Sequence, residues 1–213
     1  NGIASYALAK DGWDTTALEP DPSDRIGAGA IRTLAEDTGL TISVAEEFGE
    51  KLPFADVSFD LVHARQVLHH ANDLAAFCRE LFRVLRPGGI LIATREHVIS
   101  SDSQLPEFLD THALHNLYGG EHAYRLKDYK TVLKAAGFNL LQTLSPLESV
   151  INYAPFTHAT LKSEICNRLN KILGGQILSF CLKSEILFSY ALKLISILDQ
   201  RPGRLYSFIL RKS

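Results

Sequence analysis

Between Leu52 and Arg95 the chain reads LPFADVSFDLVHARQVLHHANDLAAFCRELFRVLRPGGILIATR. A polar loop leads into a short apolar strand at Phe59 to Ala64. A helix from about Asn72 to Leu85 follows, setting Leu74, Phe77, Cys78, Leu81, Phe82 and Leu85 along one stripe. Pro87-Gly88-Gly89 ends that helix and turns the chain into a second apolar strand, Ile90 to Thr94. Strand, crossover helix and strand in this order make parallel neighbours. The segment is therefore one half of a doubly wound α/β sheet.

The same alternation runs through the first two thirds of the chain. Thr15 to Leu18 reads as a short strand ending at Glu19, and Asp21-Pro22-Ser23 as the cap of a helix through about Glu36. Thr41 to Ala45 is the next strand, Lys127 to Ala136 a helix closed by Gly137, and Phe138 to Leu144 a further strand. Ala4, Leu8 and Ala9 form a helix straight after Asn1-Gly2, so a strand is expected upstream of Asn1, central to the sheet. His97 to Tyr124 is polar and aromatic, too long for a bare connector, and reads as a lid or substrate loop.

After Pro155 the period becomes helical for about 45 residues. Leu161, Ile165, Leu169 and Ile172 make one apolar stripe, and Leu187, Ala191, Leu194 and Leu198 another, with Gly174-Gly175 between them. Residues 204–213 return as a terminal strand. We expect a core over residues 1–154, a helical insertion over 155–203 that caps the substrate or pairs two copies, and the terminal strand completing the core sheet.

The charge balance, −2 with 22% charged residues and no basic block, gives no electrostatic reason for a nucleic-acid partner. No apolar run approaches the ~20 residues of a membrane span. Cys78, Cys166 and Cys181 lack metal spacing and read as reduced, buried thiols of a cytoplasmic protein.

Asn1-Gly2 fits the end of a glycine-rich turn that opens a helix, where free N–H groups meet a ligand. Glu19 stands 17 residues beyond Gly2 at a strand's carboxyl end, where a carboxylate can accept both hydroxyls of a ribose. Six short stretches then fall in register: Asn1-Gly2, Leu18-Glu19-Pro20-Asp21, Glu50-Lys51-Leu52-Pro53-Phe54, Ser58-Phe59-Asp60, Leu68-His69-His70 and Arg83-Val84-Leu85-Arg86-Pro87-Gly88-Gly89. In that order they resemble the class I methyltransferases that use S-adenosyl-L-methionine (SAM), in the small-molecule group carrying Leu-Pro-Phe and Arg-Pro-Gly-Gly.

The resemblance covers about residues 1–145 and the terminal strand. It implies a Rossmann-like methyltransferase fold with an antiparallel last strand, SAM as cofactor, and methylation of O or N on a small-molecule acceptor. It also implies that Asn1, Gly2, Glu19 and Pro20 meet the cofactor, Glu19 at the ribose and Pro20 at the adenine pocket. The segment before Glu50 meets the adenine edge, and Ala64, Arg65 and Gln66 close over the cofactor. The family's usual Asp at the adenine amino group is replaced here by Phe48. Phe48 can stack on the base, Gly49 can offer its N–H, and Glu47 or Glu46 can supply the acceptor.

Substrate chemistry is assigned to the histidines beyond the strand ends. His97, leaving the strand at Arg95-Glu96-His97, is the preferred general base, with His70 as second candidate. His69, His115, Tyr118 and Tyr124 are placed at the substrate. His112, His115, Glu121 and His122 have no recognised metal spacing, so no metal ligands are assigned. Two rivals stay open: a nicotinamide-dependent oxidoreductase of related fold, since Glu19 suits an NAD ribose equally, and a non-catalytic SAM-binding or assembly protein.

Overall fold

A computed structural model describes residues 2–173 and 184–213. Its strands are β1 (Thr15–Leu18), β2 (Ile42–Ala45), β3 (Phe59–Arg65), β4 (Leu85–Ile99), β5 (Tyr124–Arg125), β6 (Phe138–Leu144) and β7 (Arg204–Lys212). The helices are α1 (Ile3–Lys10), α2 (Ala28–Thr38), α3 (Leu74–Val84), α4 (Leu105–Thr111), α5 (Ala113–Tyr118), α6 (Leu126–Ala135), α7 (Val150–Tyr153), α8 (His158–Leu173) and α9 (Glu185–Leu198).

The strands form two sheets. β1 and β2 pair in parallel, and a second sheet runs β3-β4-β7-β6 with β5 against the far end of β4. β3 and β4 are parallel, and β7 runs antiparallel between β4 and β6. The strand expected upstream of Asn1 lies outside the described residues. Asn1, Gly174, Gly175 and Cys181 lie outside them too.

α3 forms over most of the expected stripe but stops at Val84: Leu85 already belongs to β4, which thus starts before Pro87-Gly88-Gly89 and not at Ile90. Asp73 caps it by accepting from the Ala76 N–H at 2.9 Å, and Leu74, Phe77, Cys78, Leu81 and Val84 are buried. They pack with Tyr129 and Leu133 of α6 on Leu91, Phe208 and Leu210 of the sheet. Each such side chain contributes roughly 1.5–3 kcal/mol by leaving water. The last turn of α3 is closed from a distance: the Lys212 ammonium donates to the carbonyls of Phe82 (2.7 Å) and Leu85 (2.8 Å).

The Leu-Pro-Phe and Arg-Val-Leu-Arg stretches meet each other. Arg83 donates to the carbonyls of Leu52 (3.1 Å) and Phe54 (2.7 Å) and pairs with Asp56 (2.7 Å) and Glu80 (2.8 Å). One planar fork thus holds the loop that enters β3. Replacing Arg83 with alanine should cost about 2 kcal/mol, a drop in Tm of roughly 6 °C by differential scanning calorimetry. A change under about 1 °C would mean that the loop holds itself.

Several expectations are corrected. α2 begins at Ala28, not near Asp21, because the Asp21 carboxylate turns onto Ser23, accepting from its N–H (2.9 Å) and hydroxyl (2.8 Å). β4 continues past Thr94 to Ile99 through an irregularity between Ala93 and Glu96 in its pairing with β7, where Arg95 takes a φ of +61°. His97 therefore lies within a strand, opposite Leu205. The segment read as a loop after it carries α4, α5 and β5. Cys166 is half-buried instead of buried.

α8 and α9 lie in sequence between β6 and β7. They share a small core, Leu161, Phe188 and Leu192 with Leu147, Tyr153 and Ile165, apart from the core under the sheet. The buried face of α9 carries Phe188, Leu192 and Ser196, while Leu187, Leu194 and Leu198 of the expected stripe are exposed. α9 is apolar on nearly every side, so its period fits several faces; the face with the large ring is buried.

Candidate active site

The residues expected at the cofactor stand at the start of α1, just past β1 and β2, and at the end of β3 in the second sheet. Gly2 opens α1 with φ +70°, its carbonyl accepting from the Tyr6 N–H at 2.8 Å. A Cβ at Gly2 would stand 3.1 Å from Ile31 of α2. The first N–H groups of α1 have no partner within the helix and are available to an anionic group. Glu19 directly follows β1, extending its pairing by an N–H donated to Ala45 at 3.0 Å. One carboxylate oxygen of Glu19 accepts from the Asp21 N–H at 3.1 Å, and the side chain is half-buried.

Pro20, Glu47 and Phe48 are exposed, Phe48 by 67%. Glu46 pairs with Arg32 of α2. Gly49 lies flat on Phe77: a Cβ there would fall 2.4 Å from the ring. Ala64 is buried and Arg65 exposed at the end of β3. Gln66 follows with φ +51°, its N–H donating to the Thr94 carbonyl at 2.9 Å. Gln66, just past β3, and Arg95, within β4, are both held in the left-handed region, a strain that persists only where surrounding structure enforces it.

A second group gathers past the end of β3. His69 and His70 sit on the short turn Leu68–His70, Glu96 and His97 on the extension of β4, His112 between α4 and α5, and Glu121 before β5. Glu96 is fully buried and holds the turn: it accepts from the N–H groups of Val67 and His69, both at 3.2 Å, and from His69 Nδ1 at 2.8 Å. His69 Nε2 then faces Glu121 Oε2 at 3.3 Å, and that oxygen is buried without a hydrogen-bond partner. His97 donates from Nδ1 to the Gly203 carbonyl at 3.1 Å, and its ring lies 4.6 Å from that of His69 and 5.1 Å from that of His112.

Burial governs the charges here. It pushes His69 down to about 3 and His97 down to about 4, with neighbouring imidazoles acting in the same sense. It pushes the Glu96 carboxyl up to about 7, against the pull of its backbone donors. The imidazoles of His69 and His97 are thus neutral near pH 7. His70 differs, with its side chain 44% exposed and its Nδ1 donating to the Gly120 carbonyl at 3.1 Å.

The expected histidines therefore come together, with His97 at the back and His70 at the rim. The Tyr124 hydroxyl donates to the carbonyl of Ala71, the residue after His70, at 3.2 Å, and its ring packs on Tyr129. His115 is half-buried on α5, and Tyr118 ends that helix. Sequence reasoning missed Glu96, which it treated as part of a strand exit, and used Glu121 only in a local ligand search. A mostly apolar cleft of about 860 Å³ is lined by Tyr153, Leu161, Ile165, Ile195 and Gly203; none of these histidines lines it, and Gly203, whose carbonyl bonds His97, links the two. That volume suits a small organic molecule.

Residues 1–93 match the family model described as a methyltransferase domain. A ubiquinone biosynthesis O-methyltransferase of Methylobacterium sp. (strain 4-46) is 33% identical over 92 residues, which is 43% of this chain and 36% of that protein. The chain thus spans about a third of the length of that relative. An uncharacterized methyltransferase of Bacillus subtilis (strain 168), YcgJ, is 25% identical over 208 residues, 83% of this chain and 79% of that one. The solved structure of the [4+2]-cyclase SpnF superposes with a TM-score of 0.62 at 21% identity, covering 99% of this chain and 70% of the other. The chain has the α/β Rossmann-like fold of these proteins.

Proposed function

We propose that this protein transfers a methyl group from SAM to an oxygen or nitrogen of a small-molecule acceptor. The observation that carries the reading is Glu19, a half-buried carboxylate at the end of β1, inside the stretch that matches the methyltransferase domain. A fold shared with a protein described as a cyclase does not decide a reaction, so the weight falls on the residues.

The residues present fit the cofactor. Glu19 has one oxygen on Asp21 N–H and the other without a partner among the described residues, as a ribose diol requires. The open N–H groups of α1 after Gly2 suit the carboxylate of the amino-acid tail. Phe48 and Gly49 offer a ring and a bare backbone for the adenine, and Ala64, Arg65 and Gln66 border the same cofactor from β3. When bound, SAM supplies an electrophilic methyl group on its sulfonium.

The protein's own task is to align the acceptor and take its proton. His70 is the histidine an acceptor reaches first, and His69 and His97 stand behind it. No helix among the described residues is long and apolar enough to cross a membrane.

The test is release of S-adenosylhomocysteine from SAM in the presence of phenolic, hydroxylated and amine acceptors, read by mass spectrometry. Acceptor-dependent release is expected. Calorimetric binding of NADH without binding of SAM would overturn the reading. Tight SAM binding with no release from any acceptor would point to a non-catalytic role.

A further inference from the structure

We propose that His69, His70 and Glu121 form a binding site for a divalent transition metal of the zinc class, with an open position for an oxygen ligand. His69 Nε2 stands 3.3 Å from Glu121 Oε2, and His70 Nε2 stands 3.9 Å from Glu121 Oε1. All three ligand atoms lie within 4.8 Å of one another. Donors around a tetrahedral ion with bonds of about 2.0 Å are spaced about 3.3 Å apart, so only the His70 arm needs to close.

The surroundings are those of a prepared site. A ligating imidazole needs its other ring nitrogen fixed, so that the tautomer and the aim of the lone pair are set. Both histidines meet this: His69 Nδ1 is held by the buried Glu96 carboxylate at 2.8 Å, and His70 Nδ1 by the Gly120 carbonyl at 3.1 Å. In each case Nε2 is left bare toward Glu121. Independently, Glu121 is 92% buried by its 8% exposure, and its Oε2 has no hydrogen-bond partner. An imidazole nitrogen and a carboxylate oxygen facing each other out of water are two donors that a divalent cation can bridge.

His97 and His112 form a second set about the same carboxylate, with His112 Nδ1 3.9 Å from Glu121 Oε1. His97 Nδ1 is spent on Gly203, and His112 Nδ1 accepts the His115 N–H at 3.4 Å. Only the first set therefore has both ring donors committed outward and both acceptors free. The open side is that of His70, the most exposed member. An acceptor oxygen bound there would be polarised by the metal, a role that rests on the methyl-transfer reading, whereas the site itself does not.

The test is Co²⁺ and Zn²⁺ titration of the intact, chelator-stripped protein, followed by cobalt visible absorption and by competition with a chromophoric chelator. One equivalent is expected, bound at micromolar Kd or tighter, and binding about 100-fold weaker in Glu121→Gln and His69→Ala. His158→Ala, at an exposed position at the start of α8, serves as control and should bind as the parent does. Circular dichroism checks that each variant is folded, and Glu121→Asp, which keeps a carboxylate, covers the case of an unfolded Glu121→Gln. Failure of the parent to bind one equivalent, or full binding by a folded Glu121→Gln, would overturn the proposal. Neither outcome touches SAM binding, so the two readings fail separately.

Discussion

Replacing Glu19 with alanine should weaken S-adenosylhomocysteine binding about 100- to 10,000-fold in a calorimetric titration. A carboxylate that accepts two ribose hydroxyls makes two charge-assisted hydrogen bonds of roughly 1.5–3 kcal/mol each, and each 1.4 kcal/mol is tenfold in affinity. Glu19→Gln keeps the shape and loses the charge, so it should fall between, at roughly tenfold weaker. The fold is expected to tolerate both changes. The Glu19 side chain makes one local hydrogen bond, to the Asp21 N–H, and none to the core. If Glu19→Ala binds within about threefold of the parent, the ribose is held elsewhere and the cofactor assignment of this corner fails.

The largest stability effect should come from Glu96→Ala. Three donors converge on that carboxylate from the turn after β3, namely the Val67 N–H, the His69 N–H and His69 Nδ1. Glu96 is wholly buried, so its removal leaves these donors inside the protein without their acceptor. Stranding buried donors costs about 1–3 kcal/mol apiece, so roughly 4 kcal/mol in all is expected. For a chain of 213 residues that is a fall in Tm of about 12 °C. Measured by calorimetry in the presence of chelator, a drop under about 3 °C would show that the turn is held by packing alone.

Much of the architecture was legible because it is written in local words. The stripe of α3 follows from its period, whereas Pro87-Gly88-Gly89, expected to end the helix and precede the strand, falls inside β4, which already starts at Leu85. Leu-Pro-Phe also reads correctly as architecture, since Arg83 is its clamp. The helix after Asp21 was misread because a capping residue can serve a loop as well as a helix, and Ser23 takes its carboxylate here.

The site was less legible for a different reason. An irregularity of one residue at Arg95 decides which face Glu96 and His97 take, and nothing in Arg-Glu-His announces it. The carboxylate of Glu121 reaches His69 across 52 positions of sequence, so a search for local ligand spacing passes over the pair. In α9, apolar residues on almost every side left the buried face undetermined until Phe188 was seen to fill it.

The place of β7 bears on how the molecule comes into being on the ribosome. β4 and β6 are both made before β7, yet neither touches the other: residues 204–212 must arrive and slide between them. Until then two strand edges wait unpaired, facing a space one strand wide, and such edges are where nascent chains recruit the wrong neighbour. Lys212 then locks the end of α3, which was made some 130 residues earlier. Folding of this half is thus scheduled late, and the window before closure is when a chaperone has most to protect.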